Sequence, residues 1–434
     1  MKLYFIGIGG IGLSALARWC KKKGFDVKGS DIHSTPLTQK LQNEGIEVFI
    51  PQKEENINGD IDLIVYTAVA RENNPERVAA KKKGVKILSR REFLPFILND
   101  KKVLSVCGAH GKSTTTAILA SILPNANALI GAESKDFNSN AKFSNSELMV
   151  FEADESDGSF IDSNPYVAVV TNTEPEHMEF YNHDLELFYS HYEKFLKKAQ
   201  IRVVNGNDEF IKKLDLPMKK VYLKDARNIR YELRNDLPKT IFEYRGYEFE
   251  VYGFGEHLVL DALLAIEAAN EFISLNEIAK NIKNYKGIKK RFDILQQDDD
   301  FILIDDYGHH PTEIKATLSS AKKYAMLNGI DKITAIWQPH KYSRTVDNLQ
   351  GFIECFEGVD ELVILPVWSA GEEKVEIDFE KYFAKYKPIF ADKIKADRKN
   401  IMLIRDDEII KKINDGLIIG FGAGDITYQL RGNK

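Results

Sequence analysis

Val-Leu-Ser-Val-Cys-Gly-Ala-His-Gly-Lys-Ser-Thr-Thr-Thr-Ala-Ile-Leu-Ala, residues 103–120, decides the fold of this chain. The short apolar run predicts a buried strand. Gly108-Ala109-His110-Gly111 predicts a tight turn, and Lys112-Ser113-Thr114 opens a helical pattern. Strand, glycine turn and helix in that order make a loop that cradles phosphate. Backbone N–H groups at the helix start point at an anion, and the helix dipole favours negative charge there. Lys112 is placed to reach terminal phosphates and the Ser113 hydroxyl to ligate Mg²⁺. Only Ala109 and His110 separate Gly108 from Gly111, so the loop is a shortened variant of the usual motif. A glycine turn that merely joins a strand to a helix would leave the Gly-Lys-Ser run at this place unexplained.

A second loop opens the chain. Gly7-Ile8-Gly9-Gly10-Ile11-Gly12 is a complete G-x-G-x-x-G after a strand pattern and before a helical one. Asp31 follows the next strand, at the spacing where dinucleotide enzymes place a ribose-binding acid. Read alone, this predicts a nicotinamide-dependent oxidoreductase. The motif encodes only the close approach of backbone to a pyrophosphate, which a UDP-sugar also carries. Two phosphate loops in one chain predict two different nucleotides, which a simple dehydrogenase does not need.

Outward from these loops, strands alternate with helices, the pattern of parallel sheets covered on both faces. Residues 3–8, 26–29 and 61–67 read as strands and 10–23 and 36–44 as helices, with a polar hinge at 99–102. A second block runs from the phosphate loop through strands at 148–151 and 167–171 to a helix at 258–272. Alternating patches at 231–233, 241–244 and 249–252 predict a small antiparallel region inside it. A third block has strands at 301–304, 333–337, 361–365 and 417–421. The expected architecture is α/β in three domains. Residues 1–97 form a Rossmann-like unit, 98–286 a P-loop-type ATP-binding unit with a parallel sheet plus a small antiparallel region, and 287–434 a Rossmann-like unit.

Composition narrows the function. A chain of 434 residues exceeds one ordinary core, and 44% hydrophobic with 29% charged residues is ordinary for a soluble protein. A net charge of −5 argues against a nucleic-acid partner. No apolar run approaches the roughly 20 residues of a membrane helix, and no signal-peptide pattern opens the chain, so a cytoplasmic protein without membrane insertion is expected. The three cysteines are far apart and read as reduced thiols.

Acids and histidines gather after predicted strands, where open α/β sheets bind ligands. Glu152, Asp154, Glu155 and Asp157 follow the strand at 148–151; beside a phosphate loop they are suited to Mg²⁺. His177 lies just past the next strand. Asp305-Asp306-Tyr307-Gly308-His309-His310 repeats the theme in the third block, and His340 with Arg344 adds a fork suited to a carboxylate or phosphate. Each cluster alone could be a polar loop; their shared position at strand ends favours function. The parts fit ATP-driven activation of a carboxylic acid as an acyl phosphate, followed by attack of an amine to form an amide.

The segments GIGGIGLS (7–14), GAHGKSTTT (108–116), EADESDGSF (152–160), TNTEPEHM (171–178), DDYGHHPTEI (305–314), QPHKYSRT (338–345) and GAGDI (422–426) cover nearly the whole chain. In kind and order they resemble the Mur ligases of peptidoglycan synthesis. The resemblance implies a UDP-binding, an ATPase and a C-terminal domain, with UDP-N-acetylmuramate, L-alanine, ATP and Mg²⁺ as the molecules bound. It implies that Gly9, Gly10, Ile11, Gly12, Ser14 and Asp31 serve the UDP-sugar. Gly108, Ala109, His110, Gly111, Lys112, Ser113 and Thr114, with His257, Arg291 and Asp306, would serve ATP. Ser113, Glu152 and His177 would hold the metal, and His309, His310, His340 and Arg344 the amino acid. Lys112, His177 and Arg344 would be catalytic. A monomer or homodimer is expected. Leu258 and Asp261 stand where the family places asparagines that contact the nucleotide, and Lys341 where arginine is common. The competing expectations are the branch that adds a whole tripeptide in recycling, an NAD(P)-dependent oxidoreductase, and an inactive sensor of UDP-sugars. The intact Lys112, Glu152 and His177 argue against the sensor.

Overall fold

A computed structural model describes residues 1–432. The chain forms two compact units. The first comprises Met1–Arg227, Tyr244–Phe249 and Leu260–Lys286; the second comprises Asn228–Glu243, Glu250–Val259 and the chain from Gly287 onward.

The first unit contains two sheets. In the N-terminal one, five parallel strands lie in the order Glu47–Phe49, Asp26–Ser30, Lys2–Ile6, Leu63–Tyr66, Ile87–Ser89. The first strand in the chain, Lys2–Ile6, is central, so its apolar residues are covered on both faces: Leu3, Tyr4, Phe5 and Ile6 are all buried. The second sheet has seven strands, in the order Lys219–Val221, Ile201–Asn205, Pro165–Val170, Lys102–Cys107, Leu148–Glu152, Asn127–Ser134, Ser139–Lys142. Only the last pairing is antiparallel. Its central strand, Lys102–Cys107, feeds the glycine turn and the helix Lys112–Ile122. Lys142 donates to the carbonyls of Ala120 and Leu123 and so satisfies orphan groups at that helix's C-terminus.

The second unit is built on six strands in the order Asp293–Gln297, Phe301–Asp306, Gly416–Phe421, Ile333–Trp337, Glu361–Ile364, Ile389–Phe390. All pairs are parallel except the first. The strands predicted at 301–304, 333–337, 361–365 and 417–421 are therefore neighbours in one sheet. A second small sheet, antiparallel strands Lys393–Asp397, Asn400–Arg405 and Glu408–Ile413, was not expected. Its strands carry charged residues on one face and, at Ile409 and Ile410, two consecutive exposed apolar residues, which blurs the period-two signal.

The three alternating patches are the strands Arg227–Arg234, Leu237–Tyr244 and Tyr247–Tyr252 of a meander. Its turns, Asn235-Asp236 and Arg245-Gly246, all have positive φ, as two-residue hairpin loops require. Among the described residues no helix is long and apolar enough to cross a membrane. Cys20, Cys107 and Cys355 are buried and free.

Candidate active site

In the first unit, the phosphate loop is shaped by what crowds its glycines. Gly108 has φ +137°, and a Cβ there would lie 2.1 Å from Thr171 Oγ1; Gly111 has φ +81°, and a Cβ there would lie 2.5 Å from Asp261 Oδ1. Neither position admits another side chain. Between them His110 is clamped: its N–H donates to Asn172 Oδ1 at 3.3 Å, and its carbonyl accepts from Asn172 Nδ2 at 2.9 Å and Thr171 Oγ1 at 2.5 Å. Asp208 in turn accepts from the N–H and hydroxyl of Thr173 at 2.6 and 2.8 Å. The loop is thus braced by the segment that follows the strand Pro165–Val170.

Lys112 folds onto this loop. Its Nζ donates to the Gly108 and Ala109 carbonyls at 2.6 and 3.1 Å and to Glu155 at 2.9 Å. Burial disfavours its charge, but Glu155, Asp154 and Glu152 outweigh that and hold its pKa above the usual lysine value. Glu152 ends the strand Leu148–Glu152. One of its oxygens accepts from Ser113 Oγ at 2.8 Å and the other from Gly131 N–H at 2.6 Å. Burial raises the pKa of Glu152, and it also raises that of Glu155 against the pull of Lys112. Burial works the same way on Asp154, yet Lys112 and Arg90 hold its carboxyl below the usual range.

Glu155, Glu176 and His177 form a separate set whose ligand atoms all lie within 4.8 Å of one another. The structure therefore brings the predicted Ser113 and Glu152 into contact and places His177 with Glu155 and Glu176. The Glu152 carboxylate with the Ser113 hydroxyl, and the Glu155 and Glu176 carboxylates with the His177 imidazole, are each donor sets that suit a divalent cation. Sequence reading did not single out Glu176, because nothing in its spacing predicts that it approaches Glu155.

The N-terminal loop is organised differently. Gly7 and Ile8 donate to the Ser30 carbonyl at 2.8 and 2.9 Å. Asp31 accepts from Gly9 N–H with one oxygen and from Ile32 N–H with the other, both at 2.8 Å. Ser14 is buried; its hydroxyl donates to the Ile11 carbonyl at 2.8 Å and accepts from Asn140 Nδ2 at 2.9 Å. Arg18 holds Asn140 from the other side and pairs with Glu44 at 2.6 Å. Ser14 and Asn140 thus fix the first turn of the helix Ile11–Lys22 from beneath. A cavity of about 280 Å³ has Gly10, Ile11, Gly12 and the turn Thr67-Ala68-Val69 in its wall together with Gly131, Glu152 and Asp154. Arg90 lines it too, with Nε 3.1 Å from where a Cβ on Gly12 would sit.

In the second unit, buried Asp306 accepts from Phe292 N–H at 2.7 Å and Gly308 N–H at 2.9 Å. Burial lifts its pKa to about 6, against the pull of Arg291. Arg291 pairs with Glu313 at 2.9 Å and lies over the Tyr307 ring. The two neighbouring histidines diverge. His309 Nδ1 donates to the Tyr307 carbonyl at 3.0 Å and its ring lies 5.9 Å, centroid to centroid, from His340; His310 caps the helix Pro311–Leu327 and meets Asn348. Arg344 reaches His340 Nδ1 at 3.0 Å and pairs with no carboxylate among the described residues. Burial, His309 and Arg344 push the His340 pKa down to about 3, so its ring is neutral at pH 7 and its Nδ1 accepts from Arg344. His257 lies on the exposed first turn of the helix Glu256–Ala269, against Gly255, while Leu258 is buried.

A braced phosphate loop, a lysine among carboxylates and a second glycine loop sharing a cavity wall with Glu152 define an ATP-dependent ligase. The chain belongs to the Mur ligase family: residues 2–102 match the Mur ligase family, catalytic domain, residues 106–269 the Mur ligase middle domain, and residues 290–410 the Mur ligase, glutamate ligase domain. It is 50% identical over 433 residues to the UDP-N-acetylmuramate–L-alanine ligase of Campylobacter curvus, covering 99% of both chains. It is likewise 50% identical over 434 residues to the ligase of the same name from Helicobacter pylori, covering 99% of this chain and 96% of that one. The crystal structure of UDP-N-acetylmuramate-alanine ligase from Thermotoga maritima is similar with a TM-score of 0.82 at 27% identity, over 99% of this chain and 97% of that one.

Proposed function

We propose that this chain joins L-alanine to UDP-N-acetylmuramate with cleavage of ATP to ADP and phosphate, the amide-forming step that starts the peptide of a peptidoglycan precursor. The observation that carries the reading is Lys112, buried among Glu152, Asp154 and Glu155 beneath a phosphate loop, with Glu152 sharing a cavity wall with the N-terminal glycine loop. Half-identity over the full length to enzymes of that name supports it.

The chemistry follows from the groups present. The N–H groups at the start of the helix Lys112–Ile122 receive the ATP phosphates, and Lys112 exchanges the Gly108 and Ala109 carbonyls for phosphate oxygens. The donor's carboxylate oxygen attacks the γ-phosphorus, the bond to ADP breaks, and an acyl phosphate forms. The deprotonated amine of alanine then attacks the acyl carbon and phosphate leaves. Ser113, Glu152 and His177 would hold the Mg²⁺, with Glu155 and Glu176 beside His177. When bound, that ion supplies charge neutralisation at the transferring phosphoryl group. Gly9, Gly10, Ile11 and Gly12 present backbone to the donor pyrophosphate, and Asp31 and Ser14 hold that loop in shape.

Arg344, with no acidic partner among the described residues, and neutral His340 are suited to the carboxylate of the incoming amino acid. His309 faces His340, whereas His310 serves a helix cap. Arg291 and Asp306 fix the stretch on which ATP contacts are expected, with His257 as a further nucleotide contact. On this reading residues 1–97, 98–286 and 287–434 act as donor, ATP and acceptor domains of a cytoplasmic enzyme.

The test is phosphate release from ATP and Mg²⁺ with UDP-N-acetylmuramate, scanning single amino acids and the recycling tripeptide. Release that requires L-alanine and yields UDP-N-acetylmuramoyl-L-alanine is expected. Release that requires the tripeptide would move the chain to the recycling branch, and release with neither would overturn the reading.

A further inference from the structure

We propose that Trp368 is the wall that limits the acceptor to a small side chain, an inference that rests on the reading of His340 and Arg344 as the holders of the amino-acid carboxylate. Trp368 follows the strand Glu361–Ile364 and is 42% exposed, a large apolar group left open where an α/β sheet presents its carboxyl ends. An exposed indole on a loose loop would mean little, but this one is locked in place. Its N–H donates to the Pro339 carbonyl and its carbonyl accepts from Lys341 N–H, both at 2.8 Å, so that it flanks His340 in a parallel bridge. Four residues on, Glu372 accepts from the N–H and hydroxyl of Ser343 at 3.0 and 2.6 Å. The two segments are therefore stitched together at both ends.

Residues paired directly across a bridge send their side chains to the same face. The face in question is the one on which His340 meets Arg344 at 3.0 Å and faces His309. The base of the indole is fixed by a third segment. A Cβ on Gly424 would lie 2.7 Å from Trp368 Cγ and 2.9 Å from its Cβ, so only glycine there leaves room for the ring. A rigid aromatic surface beside a fork that grips a carboxylate meets the next group out from that carboxylate, the amino acid's side chain. A methyl group fits against such a wall; each further methylene must displace it. Pockets of this kind discriminate one methylene by about 10–200-fold.

The experiment compares W368A and W368F with the wild-type chain, using L-alanine, L-2-aminobutyrate and L-valine as acceptors in the phosphate-release assay. In W368A, the kcat/KM ratio of L-valine to L-alanine is expected to rise about 10-fold or more. The KM for L-alanine should also rise, while KM for ATP and for UDP-N-acetylmuramate stay at wild-type values. W368F, which keeps most of the wall, should fall between the two and serves alone if W368A does not fold. A variant with wild-type KM for ATP and donor and an unchanged acceptor ratio overturns the inference. Wild-type release that does not require L-alanine instead overturns the reading on which it rests, and the wild-type arm alone reveals that outcome.

Discussion

The loops at residues 7–12 and 108–111 both bend a chain from a central parallel strand into a helix, yet they are stocked differently. The carboxylate bonded to the N-terminal loop, Asp31, spends both oxygens on backbone N–H groups, at Gly9 and Ile32. The second has Lys112 and three acids around it, with Ser113 bonded to Glu152. On the proposed reading the first is a passive cradle for a pyrophosphate that is bound and released unchanged. On the same reading the second sets the charge of Lys112 against a phosphoryl group that leaves. Similar glycine spacing describes the bend; the surrounding charges distinguish holding from reacting.

The comparison breaks most visibly at Lys112. Lys112→Met is expected to lower the rate of amide formation by about 10³-fold while calorimetric affinity for UDP-N-acetylmuramate stays the same. Retained turnover would mean that the second loop only holds its nucleotide. Glu152→Gln keeps the hydrogen bonds to Ser113 and Gly131 in reach but removes the charge. Its rate should drop on the order of 100-fold, with a higher Mg²⁺ concentration for half-maximal activity; an unmoved Mg²⁺ titration would take Glu152 out of the metal site.

At the passive loop the effect should be smaller and fall on binding. Asp31→Asn replaces the charged acceptor at Gly9 N–H, a change worth about 1.5 kcal/mol, or roughly tenfold in donor KM with kcat kept. A fall in kcat with KM unmoved would contradict the division of labour. Ser113→Thr preserves the hydroxyl that meets Glu152 and should leave the rate within about threefold, whereas a large loss would point to the shape of the loop rather than the hydroxyl as what matters there.

Much of this was legible in residues 103–120 and 7–12, because glycine spacing, a following helix and alternating strands are local features. The parallel α/β class of the sheets followed from the same alternation, but the order of their strands did not. What local pattern does not carry is the pairing of distant side chains. Asn172 clamps His110 across 62 residues, and Asn140 meets Ser14 across 126. Ser14 lies within a loop motif and so reads as a contact to ligand, but its burial turns it inward. His309 and His310 are indistinguishable in sequence, since which of them caps the next helix depends on one residue of backbone phase. The sheet at 393–413 escaped because charges and the exposed Ile409-Ile410 pair interrupt its alternation.

The cavity wall that carries Gly10 to Gly12 and also Glu152 has a consequence for which donors succeed. On the proposed reading the pyrophosphate meets one stretch of that wall and the reacting carboxylate another, so the cavity would work as a gauge of length. A UDP-sugar whose carboxylate sits at the right reach would then bridge the gauge from pyrophosphate to phosphoryl acceptor. UDP-N-acetylglucosamine, with the same nucleotide and no lactyl carboxylate, would seat its first half and present nothing at the second, making it a competitor that never turns over.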